Sequence, residues 1–341
     1  MLRRRAAGLW AALPPEVATL AESFAAAGHE LALVGGPVRD AFLGRSSADL
    51  DFATSARPDE IERLLKGWTR ATWDMGREFG TIGGRRGELV VEITTYRADE
   101  YDGESRKPVV AFGDSLEGDL ARRDFTVNAM AVRVPSLEFV DPFGGLEDLA
   151  GGLLRTPIDP HVSFGDDPLR MMRAARFAAQ LGFEIEPGTF AAMSEMAARL
   201  DIVSAERVRD ELVKLMLATD VRAGLGALVD SGLADHVLPE LPALRLEVDE
   251  HHHHKDVYEH TLTVVEQAID LETGPDGPVP GPDLILRLAS LLHDIGKPPT
   301  KRLEPGGGVS FHHHEVVGAK MTAKRMKALR FDKDTIKAVQ H

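Results

Sequence analysis

Two aspartates one residue apart, Asp49 and Asp51, open the segment ADLDFAT, whose alternation reads as a β-strand. On a strand, residues i and i+2 project from one side, so the two carboxylates stand together while Leu50 and Phe52 turn to the core. Like charges so placed repel. A pair of divalent cations, hard ions that prefer oxygen ligands, is the economical compensation. Two such ions, Mg²⁺ for example, can activate an attacking hydroxyl and stabilise a leaving oxygen in phosphoryl transfer. Glu92, in GELVVEITTY, falls on the strand face opposite Leu89, Val91 and Ile93 and is a candidate third carboxylate. Upstream, Gly35 and Gly36 separate the strand pattern LALV from a helix start, where bare N–H groups and the helix dipole can receive a triphosphate. The competing reading of the acids by themselves is a solvated strand edge.

A second constellation lies in DDPLRMMRAARF, residues 166–177. Read as a helix, it puts Asp167 and Arg170 three apart on one face, continued by Arg173, with Leu169 and Met172 toward the core. A carboxylate accepts and a guanidinium donates, which matches the Watson–Crick edge of cytosine or adenine and leaves charges unpaired against uracil or guanine. The plainer alternative is an i,i+3 salt bridge on a solvated helix.

The elements that must carry these residues follow from local pattern. Helices are expected over 15–27, over PVRDAFLG closed by Gly44, and over PDEIERLLKGW with Ile61, Leu64, Leu65 and Trp68 on one side. From about residue 160 strand signals give way to long helical patterns. Ten of the thirteen histidines follow residue 250, which marks a further unit with its own chemistry. The expected division is 1–157, 158–250 and 251–341, in a chain whose 341 residues exceed the usual size of one core.

Composition narrows the function classes. The net charge of −14 excludes a general basic coat, so a nucleic-acid partner needs a local stripe. Candidates are Arg122-Arg123, the trio Arg170, Arg173 and Arg176, the set Arg207, Arg209 and Lys214, and the tail helix from Lys320 to Arg330. Such clusters are also what solvated helix faces look like. With no cysteine, disulfides and thiolate metal sites are excluded and a reducing compartment fits. No apolar run reaches the ~18 residues of a membrane span, since LILRLASLL is broken by Arg287. MLRRRAAGLWAALPPEV has a basic start but no small-residue cleavage pattern.

In order and spacing, GGPVRDAFLGRSSADLDFAT, RRDFTVNAMA, DPFGGLEDLAGGLLRT, DDPLRMMRAARF and SAERVRDELVKLM resemble the five signature motifs of the class II tRNA nucleotidyltransferases and poly(A) polymerases. The resemblance implies that Asp49 and Asp51 are the metal-binding catalytic pair, with Glu92 the third acid. It implies that Gly35, Gly36 and Arg39 sit by the triphosphate, and that Arg123, Asp124 and Asn128 contact phosphate and ribose. Arg39 could instead pair with Asp40, and Asp124 could cap the following turn. The motif holding Asp167, Arg170 and Arg173 would select CTP and ATP without a nucleic-acid template. The family usually has Glu-Asp where this chain has Asp166-Asp167.

HHHHKDVYEHTL, LASLLHDIGKP and FHHHEVVGAKM resemble the HD phosphohydrolase pattern, matching its metal ligands at His260, His293, Asp294 and His314; the final His341 is a further candidate. Imidazole and carboxylate together suit Mn²⁺, Ni²⁺ or Co²⁺. His293-Asp294 could instead simply end an apolar helix, and the run His251 to His254 reads as surface. Because the sequence stops at its last candidate ligand, a longer natural chain is expected.

The implied fold is α+β: a nucleotidyltransferase palm of mixed sheet and helices, an all-α neck and body, and a helical HD domain. The implied activity is addition of CMP and AMP from CTP and ATP to the 3′ end of tRNA in the cytoplasm, with pyrophosphate released. CC-only or A-only addition is a narrower form, and ADEYDGESRKP would be the flexible loop for switching nucleotide. The alternatives are a poly(A) polymerase using ATP only, and an RNA-binding HD phosphodiesterase with an inactive transferase site. Oligomeric state is not legible.

Overall fold

The computed structural model describes residues 13–45, 49–100, 109–113, 115–246, 256–274, 277–305 and 309–341. The histidine run 251–254, most of the loop 98–108 and the basic start fall outside the described residues. The chain divides into two compact units, Met1–Asp159 and Pro160–His341.

The first unit is built on strands β1 (Leu31–Val34), β2 (Asp49–Thr54), β3 (Ala71–Gly76), β4 (Thr81–Arg86) and β5 (Leu89–Thr95). A separate antiparallel ribbon, β6 (Arg97–Glu100) and β7 (Val109–Phe112), precedes β8 (Ala131–Val134) and β9 (Glu138–Val140). The main sheet runs β3-β4-β5-β2-β1-β8-β9, antiparallel except for the central β2–β5 pair.

The two faces of this sheet differ, and the difference positions the site. Phe52 pairs with Ile93 and Ile93 with Ile82, a buried row on the face where a Cβ on Gly84 would meet Leu65 at 3.3 Å. Helix Pro58–Trp68 covers that face with Ile61, Leu64, Leu65 and Trp68, and Trp68 Nε1 donates to Glu16 O at 2.9 Å in helix Pro15–Ala26. Each large apolar side chain so buried contributes about 1.5–3 kcal/mol. On the opposite face, Ala32, Val34 and Ala53 pack with Leu116 and Leu120 of the short helix Leu116–Ala121. Asp49 and Asp51 belong to that second face by alternation, and both are exposed.

The second unit is helical, and two buried arginines tie its helices. Arg176 of helix Leu169–Leu181 donates from Nε to Glu211 Oε2 at 2.5 Å on helix Ala205–Met216. Arg287, the one charge in helix Leu284–Leu292, meets Glu272 through Nε (2.8 Å) and Nη2 (2.6 Å) and donates from Nη1 to the carbonyls of Met216 and Ala218, both at 2.8 Å. Among the described residues no helix is long and apolar enough to cross a membrane. The α+β organisation expected from the sequence is the one that forms.

Candidate functional site

Parallel pairing of β2 with β5 puts Asp51 opposite Glu92, and paired residues share a face, so Asp49, Asp51 and Glu92 gather on the open side of the sheet. Asp51 responds to the crowding. The surrounding protein pushes its carboxyl above the ordinary range, Arg123 pulls it down, and Glu92 and Asp49 push it further up. A carboxylate set whose ionised form is disfavoured by its own neighbours fits hard divalent cations.

Since β1 is antiparallel to β2, the turn leaving β1 at Gly35 lies beside the start of β2, where the aspartates are. Gly35 caps helix Gly36–Leu43 at φ 72°, and a Cβ there would stand 2.9 Å from Arg123 Nη1. Arg123 therefore lies between the glycine turn and Asp51, held from behind by Asp119 Oδ2 at 3.1 Å; Asp119 itself is buried. Arg39 donates from Nε to Asp40 Oδ1 at 2.9 Å and from Nη1 to Asn128 Oδ1 at 2.7 Å. Asn128 Nδ2 in turn donates to Asp124 Oδ1 at 3.0 Å, which also accepts the Phe125 N–H at 2.8 Å. The ion pair with Asp40 and the turn cap by Asp124 both form, and both belong to a network that fixes Arg39 and Asn128 under the glycine turn.

In the second unit the expected base-reading residues Asp167 and Arg170 do not stand together on one regular helix face. Helix Leu169–Leu181 starts behind Pro168, whose missing N–H suits a helix start, and Asp167 stands ahead of it in the turn. Its Oδ2 accepts from Arg207 Nη2 at 2.8 Å and its Oδ1 from the Leu169 N–H at 3.2 Å. Arg170 is 8% exposed and donates from Nη1 to Ser163 Oγ at 2.9 Å. Leu169 and Met172 are buried as expected, but the helix is enclosed almost all round, so helical phase alone does not bring Arg170 to the surface. Arg173 stays half-buried, its guanidinium 5.7 Å from the Phe177 ring and 3.9 Å from Glu211. In the expected phosphate-gripping stripe, Arg207, Arg209 and Lys214 face Asp167, Asp210 and Glu211 respectively.

A third cluster gathers His260, His293 and Asp294, with donor atoms within 4.8 Å of one another. His293 Nδ1 lies 2.7 Å from Ser290 O and His314 Nδ1 2.9 Å from Phe311 O. A carbonyl only accepts, so in the neutral ring each Nδ1 carries the proton and Nε2 keeps the lone pair that a metal would take. The Nε2 atoms of His260, His293 and His314 lie 3.8, 3.0 and 3.7 Å from the Asp294 carboxylate. Asp294 Oδ2 is buried with no well-aligned hydrogen bond, although Lys297 Nζ also comes within 3.0 Å. Desolvation acts against the charge, yet His293 and Lys297 hold Asp294 down at about 2; desolvation also opposes charge on His293, which Asp294 outweighs, raising it above the ordinary imidazole range. This donor set fits a divalent metal, with Lys297 taking part of the compensating role.

The chain matches the poly(A) polymerase head domain over residues 31–155, a probable RNA- and SrmB-binding site of polymerase A over 182–244, and the HD domain over 257–341. The first covers every residue of the carboxylate and glycine-turn site. The chain belongs to the class II tRNA nucleotidyltransferase and poly(A) polymerase family. Within it, a CCA-adding enzyme of Streptococcus suis is 45% identical over 227 residues, 66% of this chain and 55% of that protein. An A-adding tRNA nucleotidyltransferase of Deinococcus radiodurans is 39% identical over 307 residues, 88% of this chain and 64% of that protein. The crystal structure of the Bacillus stearothermophilus CCA-adding enzyme in complex with CTP superposes with a TM-score of 0.63 at 26% identity, over 95% of this chain and 67% of that one. The chain spans about half the length of the curated relatives it matches. Sequence reading of this family member overlooked Asp119, which props Arg123, and Lys297, which faces Asp294. Each had a signal: Asp119 precedes Arg123 by one helical turn, and Lys297 follows Asp294 by three residues.

Proposed function

We propose that the chain is a tRNA nucleotidyltransferase that adds CMP and AMP to the 3′ end of tRNA. The observation that carries the reading is the cross-strand carboxylate set beside the glycine turn, with Arg123 between them. In this reading the 3′ hydroxyl of the RNA attacks the α-phosphorus of CTP or ATP. A bond from the 3′ oxygen to phosphorus forms, the bond to the bridging oxygen breaks, pyrophosphate leaves and the hydroxyl proton passes to solvent. Mg²⁺ held by Asp49 and Asp51 would neutralise the phosphates and lower the pKa of the attacking hydroxyl. The N–H groups at Gly35 and Gly36 and the Arg123 guanidinium would bind the β- and γ-phosphates, where negative charge grows. Acting on tRNA, the protein would work in the cytoplasm. In the HD cluster, Mn²⁺, Ni²⁺ or Co²⁺ would be the metal, and a phosphohydrolase activity would be additional to the transferase.

The deciding experiment supplies CTP alone, ATP alone and both to tRNA lacking its CCA end and to tRNA ending in CC, and reads product length. Two cytidines from CTP and a final adenosine with both nucleotides support the proposal. A second reading is favoured by the A-adding relative, which matches the longer stretch of this chain. It predicts one AMP on tRNA ending in CC and nothing on the shorter acceptor. Long ATP-only products would indicate poly(A) synthesis.

Two variants extend the test. Magnesium should raise the melting temperature of the wild type more than that of Asp49→Asn/Asp51→Asn; both keep the histidine cluster, so the difference isolates the carboxylate site. An equal rise in both would count against metal binding there. Asp167→Ala should increase UTP use relative to CTP about 10- to 100-fold, as expected when a hydrogen-bonding partner for the base is lost. An unchanged UTP to CTP ratio of kcat/KM would remove Asp167 from base selection.

A further inference from the structure

Beside Glu92 the open face of the sheet sinks into a cleft of about 360 Å³, within the ~300–1,000 Å³ of small-ligand sites. Its floor is a single cross-strand row. Asp51 pairs with Glu92, Glu92 with Gly83, and Gly83 with Trp73, so these four positions share one face over β2, β5, β4 and β3. Gly83 is what opens the cleft, because any Cβ there would run into the Trp73 indole, and its absence lets the ring lie over β4. Phe79, 46% exposed, and Arg97 complete the wall, and Arg97 Nη2 donates to Thr81 Oγ1 at 3.2 Å.

The direction of the chemistry says what belongs there. In-line displacement at phosphorus sets the entering and leaving oxygens on opposite sides. The glycine turn follows β1, which flanks β2 on one side, whereas Glu92 and the cleft lie on β5, β4 and β3 on the other. A triphosphate seated at the glycine turn sends its pyrophosphate toward β1. The attacking hydroxyl must then enter over β5. At ~4.8 Å between strands, Trp73 stands ~10 Å along the row from Glu92, which suits a base whose own ribose hydroxyl reaches the carboxylates.

We propose that this cleft receives the 3′-terminal nucleoside of the acceptor RNA, with its base stacked against Trp73, Phe79 at the rim and Arg97 supplying positive charge for the adjoining phosphate. The inference rests on the nucleotidyltransferase reading above and extends it to residues outside the carboxylate site. Stacking also suits a substrate whose terminal base changes with every addition, because a π-face is common to all bases.

The test is steady-state kinetics of Trp73→Ala and Trp73→Phe with tRNA transcripts differing in their terminal nucleotide. Trp73→Ala should raise KM for tRNA about tenfold whatever that nucleotide is, with KM for CTP and ATP unchanged and Trp73→Phe close to wild type. As a readout independent of turnover, tRNA should quench the tryptophan emission of the wild type and lose that component in Trp73→Phe. Normal KM for tRNA in Trp73→Ala, or a raised KM for the nucleoside triphosphate instead, overturns the assignment while leaving the transferase intact. Wild-type protein that extends no RNA overturns the transferase reading, and the cleft assignment with it.

Discussion

Asp49→Ala is expected to lower incorporation of labelled CMP or AMP into tRNA by about 10³-fold or more, the size of losing several kcal/mol of charge stabilisation in the transition state. Asp49 is exposed at the first position of β2, so no apolar contact of the core depends on it. Folding should therefore be untouched, and in buffer free of divalent metal far-UV circular dichroism and the melting curve should overlay those of the wild type. The loss should fall on kcat, since the glycine turn and Arg123 remain to bind the triphosphate. Near-normal incorporation would end the transferase proposal. A large loss accompanied by a melting temperature lowered even without divalent metal would instead make Asp49 structural.

Arg287→Met should destabilise the helical unit by about 3–5 kcal/mol, the cost of leaving one member of a buried ion pair uncompensated. Glu272 and Arg287 are 8% and 5% exposed at their side chains, and the substitution also strands the carbonyls of Met216 and Ala218. The hydrogen bond from Arg287 is the main reason the Glu272 carboxyl lies below its usual range. A depressed carboxyl contributes stability at neutral pH that is lost as pH falls through its folded value, so the variant should lose that acid-dependent component. The three tryptophans all precede residue 100, so urea unfolding of this unit should be followed by helical circular dichroism. Glu272→Met combined with Arg287→Met should be less damaging than the sum of the two, because no lone charge remains. Additive losses would show that the pair is not coupled.

Much of the first unit was legible because its information is local. Alternation in ADLDFAT and GELVVEITTY gave the strands and the sides of Asp49, Asp51 and Glu92, and the left-handed glycines at 35 and 44 bracket the short helix where the sequence predicts it. The contacts of the expected base-reading pair were not legible, for the opposite reason. Helical phase relates Asp167 to Arg170, but only packing decides that the helix is enclosed, that Arg170 turns to Ser163, and that Arg207 from forty residues away takes the carboxylate. Gly83 was likewise silent, since a glycine inside a strand pattern signals close approach without saying to what.

By itself, then, the sequence determined an α/β part followed by a helical one, the acids that face one way along each strand, and the histidines whose chemistry can bind metal. These follow from periodicities of two and 3.6 residues and from side-chain chemistry carried within each segment. Only the tertiary structure decided that β5 lies parallel beside β2, that Arg123 reaches from behind a separate helix to the glycine turn, and that Trp73 folds over Gly83 next to Glu92. Strand order and register depend on contacts between distant segments, and no local pattern encodes which segments will meet.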